Sequence, residues 1–432
     1  MSGLALFALL ACQKGPTVAV IGGGPAGLAA AWEAAQGGAT VHLYEAQAKL
    51  GGSAVWSDAI TADPTPGDLA RWDAEAGGEN AARRRLVERM RPDVIEGLAP
   101  CGTRFEPTRN PLDDGLALVR PTRGGRGLMA DLEGCARKAG VTIHTGAAVT
   151  GVSRAGAGFA LQVGDQKADA AVLILATGGF MADLDHVRAV AGLGADVPLL
   201  RGAPRHADGN GLRLGAALGG VEASPGSVLL YAHGTPAPGE PDRAVMVVDP
   251  RRGLILDQTG AAQPGLQGQR GDAGHALAAL PGGKAWIVMD GLAFDRMPFF
   301  DFERGGMIPP IPLRSGAVTA PTVEALAAAL AVAPDALVAA RSSDRPDAAH
   351  PLGAQGPYWA LPLVPTTAKS LTGLVVDLDG HVLDAQGAPV AGLFAAGELT
   401  GFGAPYDGHP IDSTMVSGAI ITGRAAGRAA LR

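Results

Sequence analysis

The chain has 432 residues, 64 of them glycine and 32 proline, is 47% hydrophobic and carries a formal net charge of -7. That length holds two domains with sizeable cores, and the acidic balance excludes the basic face that a nucleic-acid binder needs to neutralise phosphates. Aromatic residues, at 4%, are too few for base-stacking platforms, and the three cysteines, Cys12, Cys101 and Cys135, contain no C-x-x-C, which excludes a dithiol redox motif, a zinc knuckle and a c-type haem site.

In chain order, the first feature is the uncharged apolar run Leu4–Ala11, too short to span a membrane. It ends in Leu9-Leu10-Ala11-Cys12, the form of a bacterial lipoprotein cleavage box, which would place a lipid anchor on Cys12. The absence of a basic segment ahead of it, and the short gap between Cys12 and the first strand, point instead to a cytoplasmic chain. Both readings stand at this stage.

The stretch Thr17–Glu45 organises the rest. Thr17–Ile21 is a β-branched apolar run suited to a fully buried parallel strand, and Gly22, Gly24 and Gly27 follow it in the G-x-G-x-x-G spacing. Gly22 permits a tight turn, Gly24 lets backbone N–H groups reach a pyrophosphate, and Gly27 lets a helix from Pro25 to about Gln36 press against the strand. Pro25 and Ala26 open that helix, whose N-terminus faces the phosphates with a partial positive charge. The second strand, Thr40–Tyr44, ends at Glu45, positioned to accept ribose hydroxyls and to repel a 2′-phosphate. The unit predicts a dinucleotide site that disfavours NADP.

Beyond it, Gly51-Gly52-Ser53 forms a glycine pair where backbone can run close to a bound dinucleotide. Residues 58–126 read as loops with a helix at Ala81–Met90. A helix at Gly127–Ala139, a strand at Val141–His144, and a hairpin from Ala147–Ser153 and Phe159–Val163 follow. Ala170–Ala176 reads as a third parallel strand, ending in Ala176-Thr177-Gly178-Gly179-Phe180, where chain can pass tightly over a cofactor at the sheet's C-terminal edge. Asp208-Gly209 precedes a helix at Leu212–Gly219. From about Ala223 to Ala354 the chain is irregular and rich in Pro and Gly, with strands at Val245–Val248 and Trp286–Met289, a helix at Thr322–Ala331 and no βαβ alternation, as expected of an inserted cap. Strands at Trp359–Val364 and Gly373–Val376, a hairpin segment Gly380–Asp384, a buried strand Gly392–Ala395 and a final helix at about Ser413–Ala430 complete the chain. The predicted fold is α/β: a Rossmann-like three-layer domain with a parallel sheet, interrupted by an α+β cap. Its parts are an N-terminal segment 1–16, the dinucleotide domain in two pieces, 17–222 and 356–432, and the cap, 223–355.

Five motifs in this order resemble the FAD-dependent oxidoreductase 2 family, that of fumarate reductase and succinate dehydrogenase flavoproteins and 3-ketosteroid dehydrogenases. They are Val20–Gly27 with Glu45, Gly51-Gly52-Ser53, Ala176–Phe180, Asp208-Gly209, and Gly392–Glu398 before the last helix. The resemblance implies FAD, with adenosine on Glu45, pyrophosphate at Gly22–Gly27 and the ribityl chain near Gly397 and Glu398. It also implies that the last helix, entered through Asp412, Ser413 and Thr414, points its N-terminus at the flavin, with Asp412-Ser413 as good N-cap residues. The usual attachment histidine is replaced within Ala54-Val55-Trp56, so the FAD is expected to be non-covalent. The family's substrate-clamping arginine before the last helix is absent from Gly403–Pro410, and its His-His-Thr-Met-Gly-Gly segment reads Ala368–Gly373, which argues against a C4-dicarboxylate. The closing segment from Lys369 through Gly403 is more similar to the ketosteroid-dehydrogenase branch, although the tyrosine that branch carries after Gly-Pro-aromatic is Trp359 here.

For proton transfer the resemblance points to Arg270, ten residues beyond Gly260, and to His233 at the cap entrance; Tyr358, Tyr406 and His409 are further candidates to polarise a carbonyl. The expected activity is hydride transfer between flavin N5 and a carbon next to a carbonyl, adding or removing a C=C bond in an enone, a steroid-like compound or an unsaturated acid. No haem or iron-sulfur ligand set is visible, so a separate electron donor or acceptor is expected, and no metal site. An amine or amino-acid oxidase and a catalytically degraded flavin-binding electron carrier are the alternatives.

Overall fold

The computed structural model describes residues 15–57, 60–109, 117–267, 273–335, 337–338, 352, 356–407, 411 and 413–432. Among them the central sheet has six strands, in the order His381–Leu383, Pro389–Ala395, Val172–Leu175, Thr17–Ile21, Thr40–Glu45, Thr142–Thr145. All neighbours run parallel except the outer pair of His381–Leu383 with Pro389–Ala395. A strand covered on both faces has no polar side to show, and Thr17–Ile21 and Val172–Leu175 accordingly read as continuous apolar runs. On one face Val18, Val20 and Ile174 pack under the helices Pro25–Gln36, Gly124–Lys138 and Met415–Ala429. The first and last of these touch backbone to backbone, since a Cβ on Gly423 would lie 2.2 Å from the Ala26 carbonyl oxygen.

The opposite face, carrying Ala19, Ile21, Leu173 and Leu175, is covered by a three-stranded antiparallel meander and by Leu214 of the helix Asn210–Ala217. That meander, Val149–Ala155, Gly158–Val163 and Gln166–Ala170, corrects the predicted two-stranded hairpin; its third strand is largely polar and exposed, so no apolar periodicity marks it. The three layers are therefore helices, parallel sheet and meander.

The inserted region is more regular than its composition suggests. An antiparallel sheet of eight strands among the described residues runs Leu254–Asp257, Ala285–Asp290, Tyr358–Ser370, Val228–Ala237, Glu240–Val247, Phe299–Asp301, Gly306–Ile308, with Val318–Ala320 also on the long strand Tyr358–Ser370. Bulged register in Val228–Ala237 and the brevity of its outer strands hide the alternation. The long strand corrects the predicted boundary at 355/356: Tyr358–Ser370 is a central strand of the cap sheet, and the chain returns to the FAD-type sheet only with His381–Leu383. Gly373–Val376, predicted as a strand, makes only isolated bridges. Within 58–126 the described residues contain the predicted helix at Ala81–Arg89 and add a small sheet of Ile60–Thr61, Phe105–Arg109 and Ala117–Pro121 and a helix Pro66–Glu75, where loop is expected from composition. Although the cysteines lack local spacing, the fold brings Cys101 and Cys135 together in a disulfide between the turn Ala99–Cys101 and the helix Gly124–Lys138. No described helix is long and apolar enough to cross a membrane.

Candidate functional site

The glycine turn after Thr17–Ile21 divides its work as the spacing predicts. Gly22 sits at φ 107°, and a Cβ there would lie 2.2 Å from the Ala176 carbonyl oxygen; one on Gly27 would lie 1.8 Å from the Gly22 carbonyl oxygen. Both positions exclude side chains for internal reasons. Gly24 differs, because a Cβ there would meet nothing within 4 Å. The space beside Gly24 is open, and the helix Pro25–Gln36 starts there with no side-chain cap on its first N–H groups. Uncapped N–H groups facing open space suit an anionic group such as a pyrophosphate.

Glu45 braces this turn. Its Oε2 accepts a hydrogen bond from Gly23 N at 2.7 Å and its Oε1 one from Gln47 N at 2.7 Å, which leaves lone pairs on both oxygens for ribose hydroxyls. Gly51, at φ 114°, donates from its N–H to the Gly23 carbonyl at 2.8 Å, and a Cβ on Gly52 would lie 3.5 Å from Gly24 Cα. The glycine pair followed by Ser53 thus lies against the first glycine turn.

A third segment closes the sheet edge. Ala176 N–H donates to Ile21 O at 2.8 Å, and Gly178, at φ 82°, again has no atom within 4 Å of where a Cβ would be. The Thr177 hydroxyl is buried without a hydrogen-bond partner and lies 2.1 Å from the Cβ position of Gly211, so it faces the helix Asn210–Ala217. On the far side, a Cβ on Gly179 would meet Ser370 Oγ at 2.1 Å and Glu398 Oε1 at 2.7 Å. Gly397 N–H donates to Thr422 Oγ1 at 3.0 Å beside Ala26, and Glu398 Oε1 accepts from Ser370 N at 3.0 Å. Gly22–Gly27, Gly51-Gly52, Ala176–Gly179 and Gly397-Glu398 are therefore brought together.

The last helix departs from its predicted cap. Its N-cap residue is Thr414, not Ser413, which sits in the left-handed region at φ 59°; Asp412 lies outside the described residues. Thr414 does not cap with its side chain, because its Oγ1 donates back to the Ile411 carbonyl at 2.7 Å. The helix Met415–Ala429 therefore also begins without a side-chain cap, the arrangement that best stabilises a negative charge beside its N-terminus. Two uncapped helix starts, two open glycine positions and a braced carboxylate fit the parts of an FAD.

The polar candidates fare differently. Tyr406 is fully buried, its hydroxyl within 3.0 Å of Thr414 Oγ1 at the start of the last helix, and burial pushes its phenol above the ordinary tyrosine range. His233 is 2% exposed, and its Nε2 lies 2.5 Å from the Leu266 carbonyl, to which it donates. Burial lowers its pKa, so the ring is the neutral Nε2–H tautomer and holds the turn Pro264–Gln267 in place. Tyr358 is a correction: it is buried beside Leu256, Val288 and Ala360 beneath the helix Val323–Leu330, in the cap core. Its neighbours on the strand alternate faces, which sends it away from the face lined by Leu361 and Leu363. Arg270 and His409 lie outside the described residues.

Two contacts across the domain boundary have no counterpart among the expectations. Trp56, in the sequence only a replacement for an attachment residue, packs its ring against Gly305 at the cap hairpin tip, where a Cβ would lie 1.8 Å from it, and Arg126 lies 4.0 Å over the same ring. Arg243 anchors that hairpin through Asp301 at 2.7 Å, both side chains buried. The second contact is Lys369 at the end of the long cap strand, 3.5 Å from Glu398 Oε2. Neither has a local sequence signature, because each pairs residues far apart in the chain.

The sequence model of the FAD binding domain matches residues 17–409. The chain belongs to the FAD binding domain family. Its cofactor is FAD, whose parts the open glycine positions, Glu45 and the uncapped helix starts fit. A KsdD-like steroid dehydrogenase of Mycobacterium tuberculosis is 47% identical over 77 residues, 17% of this chain and 14% of that protein. A cytochrome-type fumarate reductase of Shewanella frigidimarina is 25% identical across 96% of this chain and 77% of its own length. In fold, the 3-ketosteroid Δ1-dehydrogenase of Sterolibacterium denitrificans, solved with 1,4-androstadiene-3,17-dione, superposes with a TM-score of 0.78 at 15% identity, covering 96% of this chain and 99% of that one. The matched residues span both sheets, cap included.

Proposed function

We propose that this protein is an FAD-dependent oxidoreductase acting on CH–CH groups, interconverting a saturated carbon pair and a C=C bond next to a carbonyl. Bound FAD supplies or accepts the hydride. The observation that carries the reading is the convergence of the open glycine positions and the uncapped last helix with the end of a cap strand, Lys369-Ser370, on the same turn, Gly397-Glu398. The glycine turns and Glu45 bind and orient the cofactor; the helix Met415–Ala429 offers positive potential where negative charge develops on reduction. The cap excludes water from the reacting carbons.

The substrate is a small enone, steroid-like compound or unsaturated acid, and electrons pass to or from a separate partner, by analogy with the steroid dehydrogenases and fumarate reductases it resembles. We place the proton-transfer role on Arg270, whose guanidinium is so weak an acid that it needs a base to relay the proton, for which Asp272, two residues on in the sequence, is the candidate. His233 would then be a positioning residue, since it fixes the carbonyl of Leu266, four residues earlier in the chain. The FAD is held without a covalent link, because the segment after the second glycine pair carries Ala54, Val55 and a Trp56 packed on the cap.

The test is anaerobic. Protein reduced by dithionite is mixed with a panel of enones, steroids and unsaturated acids, and return of the oxidised flavin spectrum is the expected result with at least one class. Failure with every acceptor would leave the electron-carrier alternative.

A further inference from the structure

Lys369 is the cation that the described residues place on the cofactor turn. It ends the long cap strand, pairing with Leu229, so it stands where the cap sheet meets the FAD layer. Its ammonium is 3.5 Å from Glu398 Oε2, with the lysine side chain 27% and the glutamate 15% exposed. Glu398 is itself fixed, its other oxygen accepting from Ser370 N at 3.0 Å and lying 3.3 Å from Ser370 Oγ. The same carboxylate oxygen and Ser370 press on Gly179, while the neighbouring position, Gly178, opens on empty space. An ammonium has three donors, and Glu398 is the acceptor that the described residues give this one. Lys369 therefore lies on the carboxylate that packs beside the Gly178-Gly179 turn, with donors to spare.

The pairing decides what those donors suit. With Glu398 beside it, Lys369 carries no uncompensated charge, so a substrate carboxylate entering there would meet a carboxylate as well as an ammonium, and desolvating it would be costly. A neutral carbonyl oxygen meets no such penalty. As hydride reaches the β-carbon, the C=C electron pair moves toward that oxygen, and a proton then adds at the α-carbon; a donor fixed at the oxygen binds the charge that builds up in between. The phenol candidates do not supply that donor, because Tyr358 is in the cap core and Tyr406 is engaged with Thr414.

Resting on the reading of the site as a C=C oxidoreductase, we infer that Lys369, held by Glu398, is the residue that polarises the substrate carbonyl, and that the substrates are neutral α,β-unsaturated ketones rather than unsaturated acids. The experiment compares the holoenzyme with Lys369→Met and Lys369→Arg, using 2-cyclohexenone and a 3-keto-4-ene steroid against 1-cyclohexene-1-carboxylate. The expected result is a preference for the ketones, a fall in kcat of about 10²–10³-fold in Lys369→Met with retained flavin, and partial rescue in Lys369→Arg. Ketone preference with a kcat within about threefold of wild type in Lys369→Met, or preference for the acid, would overturn the assignment. Calorimetric titration with saturated ketones, cyclohexanone and a saturated 3-ketosteroid, reads the contact without turnover: weaker binding in Lys369→Met supports it even if no acceptor is reduced, a result that would sink the oxidoreductase reading instead. Binding unchanged by the substitution would overturn the role of Lys369 while leaving that reading intact.

Discussion

The FAD layer offers backbone N–H groups, room left by missing side chains and the braced carboxylate of Glu45; the cap offers side chains carried on an antiparallel sheet. Gly24 and Gly178 leave space, while Gly22 and Gly27 are glycine because the chain itself fills the position. The cap shows the reverse pattern, with His233, Arg243, Asp301 and Lys369 each fixed by a partner far along the chain. Sites made of backbone depend on spacing within one stretch of sequence. Sites made of side chains depend on register between strands, which a single residue's bulge can shift.

The largest effect should come from confusing the two kinds of glycine. Gly27→Val forces a side chain into the Gly22 carbonyl and separates helix from strand, so the protein should lose several kcal/mol or more of stability and fail to purify as a folded holoprotein, as circular dichroism and yield would report. Gly24→Val should leave the apoprotein's unfolding temperature within about 2 °C of wild type, yet weaken FAD about 10²-fold or more, roughly 3 kcal/mol. Equal loss of stability in both variants would erase the distinction between packing and ligand space.

Glu45 braces the Gly23 and Gln47 N–H groups, and the ribose contact proposed for it is tested on the same side chain. Glu45→Gln keeps one acceptor oxygen and should weaken FAD by about tenfold, with a small stability loss; Glu45→Arg removes both acceptors and should do more of each. Flavin content measured after desalting decides it, and full occupancy in Glu45→Arg would misplace the adenosine end.

On the cap side, Gly305→Val sets a side chain into the Trp56 ring. Flavin should be retained, because the substituted residue itself lies in the cap, and turnover should fall about tenfold as the hairpin is displaced from the dinucleotide domain. Retained turnover would show that this contact has no part in forming the site.

The smallest effect is a pH slope. The His233 pKa is held down by burial, so the folded state binds fewer protons than the unfolded one, whose histidine titrates near about 6.5. Its contribution is complete above that value and is lost as pH falls from there toward the folded pKa, at no more than about 1.4 kcal/mol per pH unit. His233→Gln should flatten urea-midpoint stability over that acid range while lowering it near neutrality. An unchanged slope would assign acid lability elsewhere.

How much of the molecule is legible in its sequence follows the same divide. The strand, glycine turn, helix and Glu45 can be placed residue by residue, since each has a steric or hydrogen-bonding reason that acts within a short stretch. Gly178 and Gly397-Glu398 stand out by motif, and the fold supplies open space and a fixed carboxylate to explain them. The meander's polar third strand leaves no periodic signal, and Tyr358–Ser370 reads as part of the wrong sheet because its pairing partners lie in the cap. Tyr358 is a candidate by its phenol alone, and the parity of its strand turns it into the cap core. Trp56 and Lys369 are visible in the sequence only as departures from a pattern, and their contacts need the fold.

The most direct test of the central claim is the structure of the product formed from the best acceptor in the anaerobic panel. A C=C oxidoreductase returns that compound two hydrogens heavier, with its carbon double bond saturated and its carbonyl intact by NMR, in one-to-one stoichiometry with flavin reoxidised. An alcohol with the double bond retained, or turnover confined to amines, would contradict the account.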